Sequence, residues 1–93
     1  MISVKATSTT DGWTFAVQVQ ESNGTTEHRV KMSKADYERL TKNVISPEEC
    51  IRKSFEFLLD RESKESILGE FDIMKIAYYF PDYPKELERR ARK

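Results

Sequence analysis

The sequence predicts an α+β domain: a three-stranded antiparallel β-meander followed by three to four helices packed on one face of the sheet. Two turn signals, Asp11-Gly12 and Asn23-Gly24, separate alternating apolar and polar segments in the first third of the chain. From Ser33 onward the apolar spacing changes from a period of two to that of a helix. No linker, repeat or low-complexity stretch interrupts the order, so one domain over 1–93 is expected, with 1–32 the meander and 33–93 the helical layer.

Residues 2–8, 13–21 and 26–32 read as strands. Trp13, Phe15, Val17 and Val19 alternate with Thr14, Ala16, Gln18 and Gln20, which gives the sheet one apolar and one polar face. With Asn23 and Gly24 at the centre of a tight hairpin, Val19 pairs with His28, Val17 with Val30 and Phe15 with Met32. With Asp11 and Gly12 placed likewise, Ser8 pairs with Phe15, Ala6 with Val17 and Val4 with Val19. Both registers send the apolar residues to the same side.

Ser33 to Asp36 resembles a capping box and opens a helix that runs to about Lys42. Ser46-Pro47-Glu48-Glu49 is a stronger start, with a Ser cap, Pro at the first helical position and carboxylates near the positive helix end. That helix runs to about Arg61. Cys50, Ile51, Ser54, Phe55, Phe57, Leu58 and Leu59 cover about half its circumference at ~100° per residue. It is therefore expected to be central, with the sheet on one flank and later helices on the other. A short turn at 63–68 closes at Gly69, and Asp72 caps a helix over 73–79, with Phe71 stapled onto Ile76. Pro81 and Pro84 break the chain before a last polar helix from Lys85 to about Arg92.

Sixteen basic and sixteen acidic residues leave no net charge, and neither half of the chain is a charged arm. A nucleic-acid-binding domain usually carries a basic excess. The one local bias is Arg89-Arg90-Ala91-Arg92-Lys93. A single cysteine, Cys50, excludes an intrachain disulfide and a cysteine-rich zinc site. The start, Met1 to Lys5, lacks the pattern of a secretory signal, and no apolar run approaches membrane-spanning length. A cytoplasmic protein is the expectation.

Few residues carry chemistry. His28 and Cys50 each occur once and form the one nucleophile-and-base pair available, with Cys50 in the first turn of a helix. The competing reading is a core-facing histidine and a small buried thiol, with no glycine-rich oxyanion turn beside them. Acids set four residues before bases, Glu48 with Arg52, Glu49 with Lys53 and Asp60 with Lys64, suit surface ion pairs rather than a metal site. The three glycines are isolated, so no phosphate-cradling loop is present. Tyr79 falls off the apolar face of its helix, and Tyr83 sits in a rigid proline corner. Both suit an interface anchor, against the plainer reading of core filling. Lys5, Arg29 and Lys31 share the polar sheet face, which lacks the stacking aromatics of a nucleic-acid reader.

The strings Glu48-Glu49-Cys50-Ile51-Arg52-Lys53-Ser54-Phe55-Glu56-Phe57-Leu58-Leu59-Asp60-Arg61-Glu62, Lys64-Glu65-Ser66-Ile67-Leu68, Phe71-Asp72-Ile73 and Tyr79-Phe80-Pro81-Asp82-Tyr83 resemble a group of short prokaryotic proteins sharing a Ser-Phe-Glu-Phe-Leu-Leu and Tyr-Phe-Pro pattern. The resemblance covers under half the chain. It implies a stand-alone prokaryotic domain and brings no catalytic residue or cofactor with it.

The expected role is a small non-enzymatic module that binds a protein partner or itself as a homodimer. It would use an edge strand, 2–8 or 26–32, or the Tyr79/Tyr83 corner. The alternative is a regulatory nucleic-acid-binding protein, antitoxin-like or transcription-associated, using Lys5, Arg29, Lys31, Arg89, Arg90 and Arg92. A thiol enzyme built on Cys50 is a third reading. No cofactor, metal or membrane contact is expected.

Overall fold

The computed structural model describes residues 1–92, so Lys93 of the basic run lies outside the described residues. The chain folds as β1 (Ile2–Ser8), β2 (Gly12–Glu21), β3 (Gly24–Ser33), α1 (Lys34–Thr41), α2 (Pro47–Leu59), a 3₁₀ turn (Lys64–Ser66), β4 (Glu70–Asp72), α3 (Lys75–Tyr79) and α4 (Tyr83–Ala91). This is the expected α+β order, with antiparallel hairpins first and helices on the sheet afterwards.

Both hairpins turn one residue earlier than expected. Glu21 pairs with Gly24, so Ser22 and Asn23 make the turn, and Ser8 pairs with Trp13 around the Thr9–Gly12 reversal. The pairing therefore moves by two residues: Val17 faces Val4 on one side and His28 on the other, while Phe15 faces Ala6 and Val30. The glycines explain the shift. Gly24 follows the turn with φ at 136°, a backbone that residues with a Cβ rarely adopt. At Gly12 a Cβ would meet the Met32 carbonyl oxygen at 2.2 Å, so only glycine lets β2 begin against the end of β3. A shift of two preserves which face each side chain takes. Phe15, Val17, Val19, Val30 and Met32 are accordingly buried, while Lys5, Gln18, Arg29 and Lys31 are exposed.

The first two helices begin where the caps predict. The Ser33 Oγ accepts from the Asp36 N–H and the Ser46 Oγ from the Glu49 N–H, each at 3.1 Å. α2 is the central helix. Its Phe55 meets His28 and Phe71 at ring separations of 5.3 and 6.2 Å, and its Phe57 meets Phe80 and Tyr83 at 5.8 and 5.4 Å. One flank thus packs on the sheet and the other on the later helices.

The region after α2 departs from expectation. Glu70–Asp72 is not the lead-in to a helix but a fourth strand, parallel to β3 and completing the order β1-β2-β3-β4. β3 is therefore interior, and the edges are β1 and β4. Asp72 caps no long helix. Its Oδ1 accepts from the Met74 N–H at 3.0 Å in a local turn, and α3 begins only at Lys75. Pro84 opens α4 from within its first turn instead of breaking the chain. The expected Asp60–Lys64 ion pair is replaced by others: Asp60 pairs with Arg90 at 2.6 Å, and Lys64 with the distant Glu21 and with its neighbour Glu65. Arg52 turns to Glu49 rather than Glu48.

Candidate functional site

The two candidate catalytic residues are separately occupied. Cys50 is fully buried and directs its Sγ at the Met32 sulfur, 3.9 Å away. Burial pushes its thiol up to about 12, so the thiolate is scarce at neutral pH. His28 is buried, and its strand is interior rather than the expected edge. Its Nδ1 lies 2.8 Å from the Leu68 carbonyl and its Nε2 2.9 Å from the Thr26 hydroxyl. A carbonyl only accepts, so Nδ1 carries a proton, and in the neutral ring Nε2 accepts from Thr26. With both nitrogens engaged and no bond to Cys50, the pair has no nucleophile–base geometry.

Tyr83 is not a surface anchor. Its ring is fully buried, and its hydroxyl lies 2.7 Å from the Ser54 Oγ. Ser54 in turn donates to the Cys50 carbonyl at 2.7 Å, so Tyr83 is the donor to Ser54. Burial, with Cys50 as the second cause, holds the phenol well above its ordinary range. The proline corner does not present Tyr83 outward: it starts a helix that carries Tyr83 into the core beside Phe57.

Tyr79 is exposed as expected, and Tyr78 beside it more so, at 57% and 76%. Their rings meet edge to face at 5.4 Å, with the Lys75 ammonium 5.2 and 5.8 Å from the two centroids. Leu68, at 46% exposed, belongs to the same region. Leu68 and Tyr79, though not Tyr78, line a groove of about 380 Å³ with an apolar lining of Leu58, Ile67, Phe71, Ile76 and Phe80, and with Glu62 and Lys75 among its walls. Along the sequence Tyr78 belongs to the aromatic run from Phe71 to Tyr83 without standing out as an anchor, and Leu68 carries no signal of exposure. Leu68 precedes Gly69 in a segment that reads as a helix end, and only the strand that follows turns it outward.

The basic residues divide into two groups. In α4, Arg89 pairs with Glu86, Arg90 with Asp60 at 2.6 Å, and Arg92 with Glu88 at 3.8 Å. Arg89 holds Glu86, and Lys42 holds Glu88, below the usual carboxylate range. The tail is thus largely neutralised. On the open face, Lys5, Ala16, Arg29 and Glu70 form one row across the sheet. They line a shallow trough of about 630 Å³ with Ser3, Gln18 and Glu27. Lys31 lies in the next row, between Thr14 and Asp72.

Comparison with protein-family models, with curated proteins and with solved structures finds no match to this chain. Among the described residues, no helix is long and apolar enough to cross a membrane.

Proposed function

We propose that this chain is a small, non-enzymatic cytoplasmic module that works by holding a protein partner against the Leu68, Tyr78 and Tyr79 surface. The observation that carries the reading is an exposed tyrosine pair in edge-to-face contact, of which Tyr79 lines an open apolar groove. Tyrosines offer large contact area at low entropy cost, and exposed apolar groups next to a concavity favour association. The separate engagement of His28 and Cys50, each with other partners, favours binding over thiol catalysis. The test is affinity capture from the native cells with the wild-type chain and with Tyr78→Ser/Tyr79→Ser. Specific loss of a polypeptide from the double variant supports the reading, and an identical retained set overturns it.

A second reading, nucleic-acid binding in a regulatory role, draws on Lys5 and Arg29 flanking the small Ala16 in the open trough, neither in an ion pair among the described residues. It predicts affinity that falls steeply with salt and drops in Lys5→Ala/Arg29→Ala/Lys31→Ala. Substituting Arg89, Arg90 and Arg92 tests the tail separately. No binding at low salt rejects this reading.

A further inference from the structure

The hydrogen-bond phase of the first hairpin identifies which backbone groups of β1 lack a partner. The Met1 ammonium donates to the Gln20 carbonyl at 2.7 Å, and the Gln20 N–H donates to the Met1 carbonyl at 2.8 Å. The Thr9 N–H donates to the Gly12 carbonyl at 2.8 Å in the same phase. Alternation along an antiparallel ladder then turns Ser3, Lys5 and Thr7 toward β2, and turns the N–H and C=O of Ile2, Val4, Ala6 and Ser8 toward the open edge. One of these groups is used: the Arg52 guanidinium, reaching from α2, donates to the Ile2 carbonyl at 2.7 Å. Val4, Ala6 and Ser8 meet no other strand among the described residues. The opposite edge is only the three residues of β4, whereas β1 has seven, without proline or bulge. Short strands, prolines, bulges and edge lysines are the usual protections of an edge, and of these β1 has only Lys5.

We propose that β1 is the seam of a homodimer in which two copies join antiparallel, Ala6 against Ala6, into one continuous sheet. An antiparallel strand pair is its own complement under a two-fold axis, so a second copy satisfies the outward groups of Val4, Ala6 and Ser8. In this register Val4 exchanges hydrogen bonds with Ser8 of the second copy, and Ala6 with Ala6. Lys5 falls beside Thr7, so no like charges meet across the seam. The Ile2 carbonyl is not required and keeps Arg52. A two-fold normal to the sheet puts both helical layers on the same side, which covers the half-buried Ile2, Val4 and Ala6. With sixteen charges of each sign, two copies carry no net repulsion. This seam lies apart from the tyrosine surface and does not depend on it.

The test is the molar mass in solution across a concentration series for the wild type, Ala6→Pro and Tyr78→Ser/Tyr79→Ser. Ala6→Pro removes an outward N–H and leaves the β2 ladder intact, as proline is tolerated on edge strands. The expected result is a wild-type dimer whose dissociation constant rises at least about tenfold in Ala6→Pro, a loss of order 1.4 kcal/mol, and is unchanged in the tyrosine variant. If Ala6→Pro loses its circular dichroism signature, wild-type amide exchange decides. Protection of Val4, Ala6 and Ser8 that grows with concentration supports the seam, and uniformly fast exchange overturns it. A single-chain mass up to millimolar concentration, or a dimer unaffected by Ala6→Pro, also overturns it. A dimer abolished only by the tyrosine variant overturns the seam while leaving the partner surface standing.

Discussion

The Nδ1 of His28 donates to the carbonyl of Leu68, 2.8 Å away and forty residues along the chain. That bond lies where the chain leaves the 3₁₀ turn and enters β4, and the Arg29 N–H reaches the Gly69 carbonyl at 2.7 Å beside it. Together they dock the fourth strand onto the third. The lone histidine is therefore a structural clamp between β3 and the loop that carries the exposed Leu68.

Replacing His28 with Ala removes both of its bonds, leaves the Leu68 carbonyl without that donor and opens space beside Phe55. A loss of about 2–4 kcal/mol is expected. Urea unfolding measures it, and amide exchange shows faster opening at Phe71 and Ile73 than at Phe15 or Val17. Equal acceleration everywhere contradicts a local clamp.

The Tyr83–Ser54–Cys50 chain makes a prediction of chemical silence. With its Sγ buried and its thiol pushed up to about 12, Cys50 resists a thiol reagent at about pH 8 until the protein unfolds. Tyr83→Phe removes the donor to Ser54 and costs about 0.5–1.5 kcal/mol. Rapid labelling of the native protein contradicts the burial.

Acid weakens the fold through its surface pairs. Lys64 holds Glu65, Arg89 holds Glu86 and Lys42 holds Glu88 below the ordinary carboxylate value of 4.5. Each folded carboxylate binds its proton less readily than the unfolded one. The stabilisation is thus fully present above about pH 4.5 and is lost as pH falls through the lowered values. Lys64 runs the other way: Glu65 first, then Glu21, raise it above 10.5, so its contribution holds below that value and fades as pH rises through the raised one. Urea midpoints from neutral to acid pH check the first sign, and midpoints at alkaline pH the second. Added salt shrinks both effects.

Two glycines separate a packing requirement from a conformational one. Gly12→Ala drives a Cβ to within 2.2 Å of the Met32 oxygen and costs more than about 2 kcal/mol through backbone displacement. Gly69→Ala meets no atom within 4 Å and requires no positive φ, so it is neutral or stabilises by about 0.4–1 kcal/mol. Thermal unfolding of the two variants side by side distinguishes them.

The local code was enough for most of the architecture. Alternation at Phe15, Val17 and Val19, the Ser33 and Ser46 caps and the wide apolar arc of α2 are each set by neighbours a few residues apart, so they can be read along the chain. Periodicity also fixed which sheet face is buried, because a two-residue slip in both hairpins keeps parity. The slip itself needed the contact of Gly12 with the Met32 carbonyl and the positive φ of Gly24, which no pattern announces. Glu70–Asp72 is too short to signal a strand. It becomes one because His28 and Arg29, far earlier in the chain, hold the carbonyls that precede it. Tyr79 and Tyr83 read alike as aromatic residues near prolines, yet the helix started at Tyr83 buries it while Tyr79 stays in solvent. Residue chemistry and spacing determined the elements and their faces. Which groups were left unpaired at an edge, and which aromatics remained exposed, was decided by long-range packing, because burial depends on residues distant in sequence.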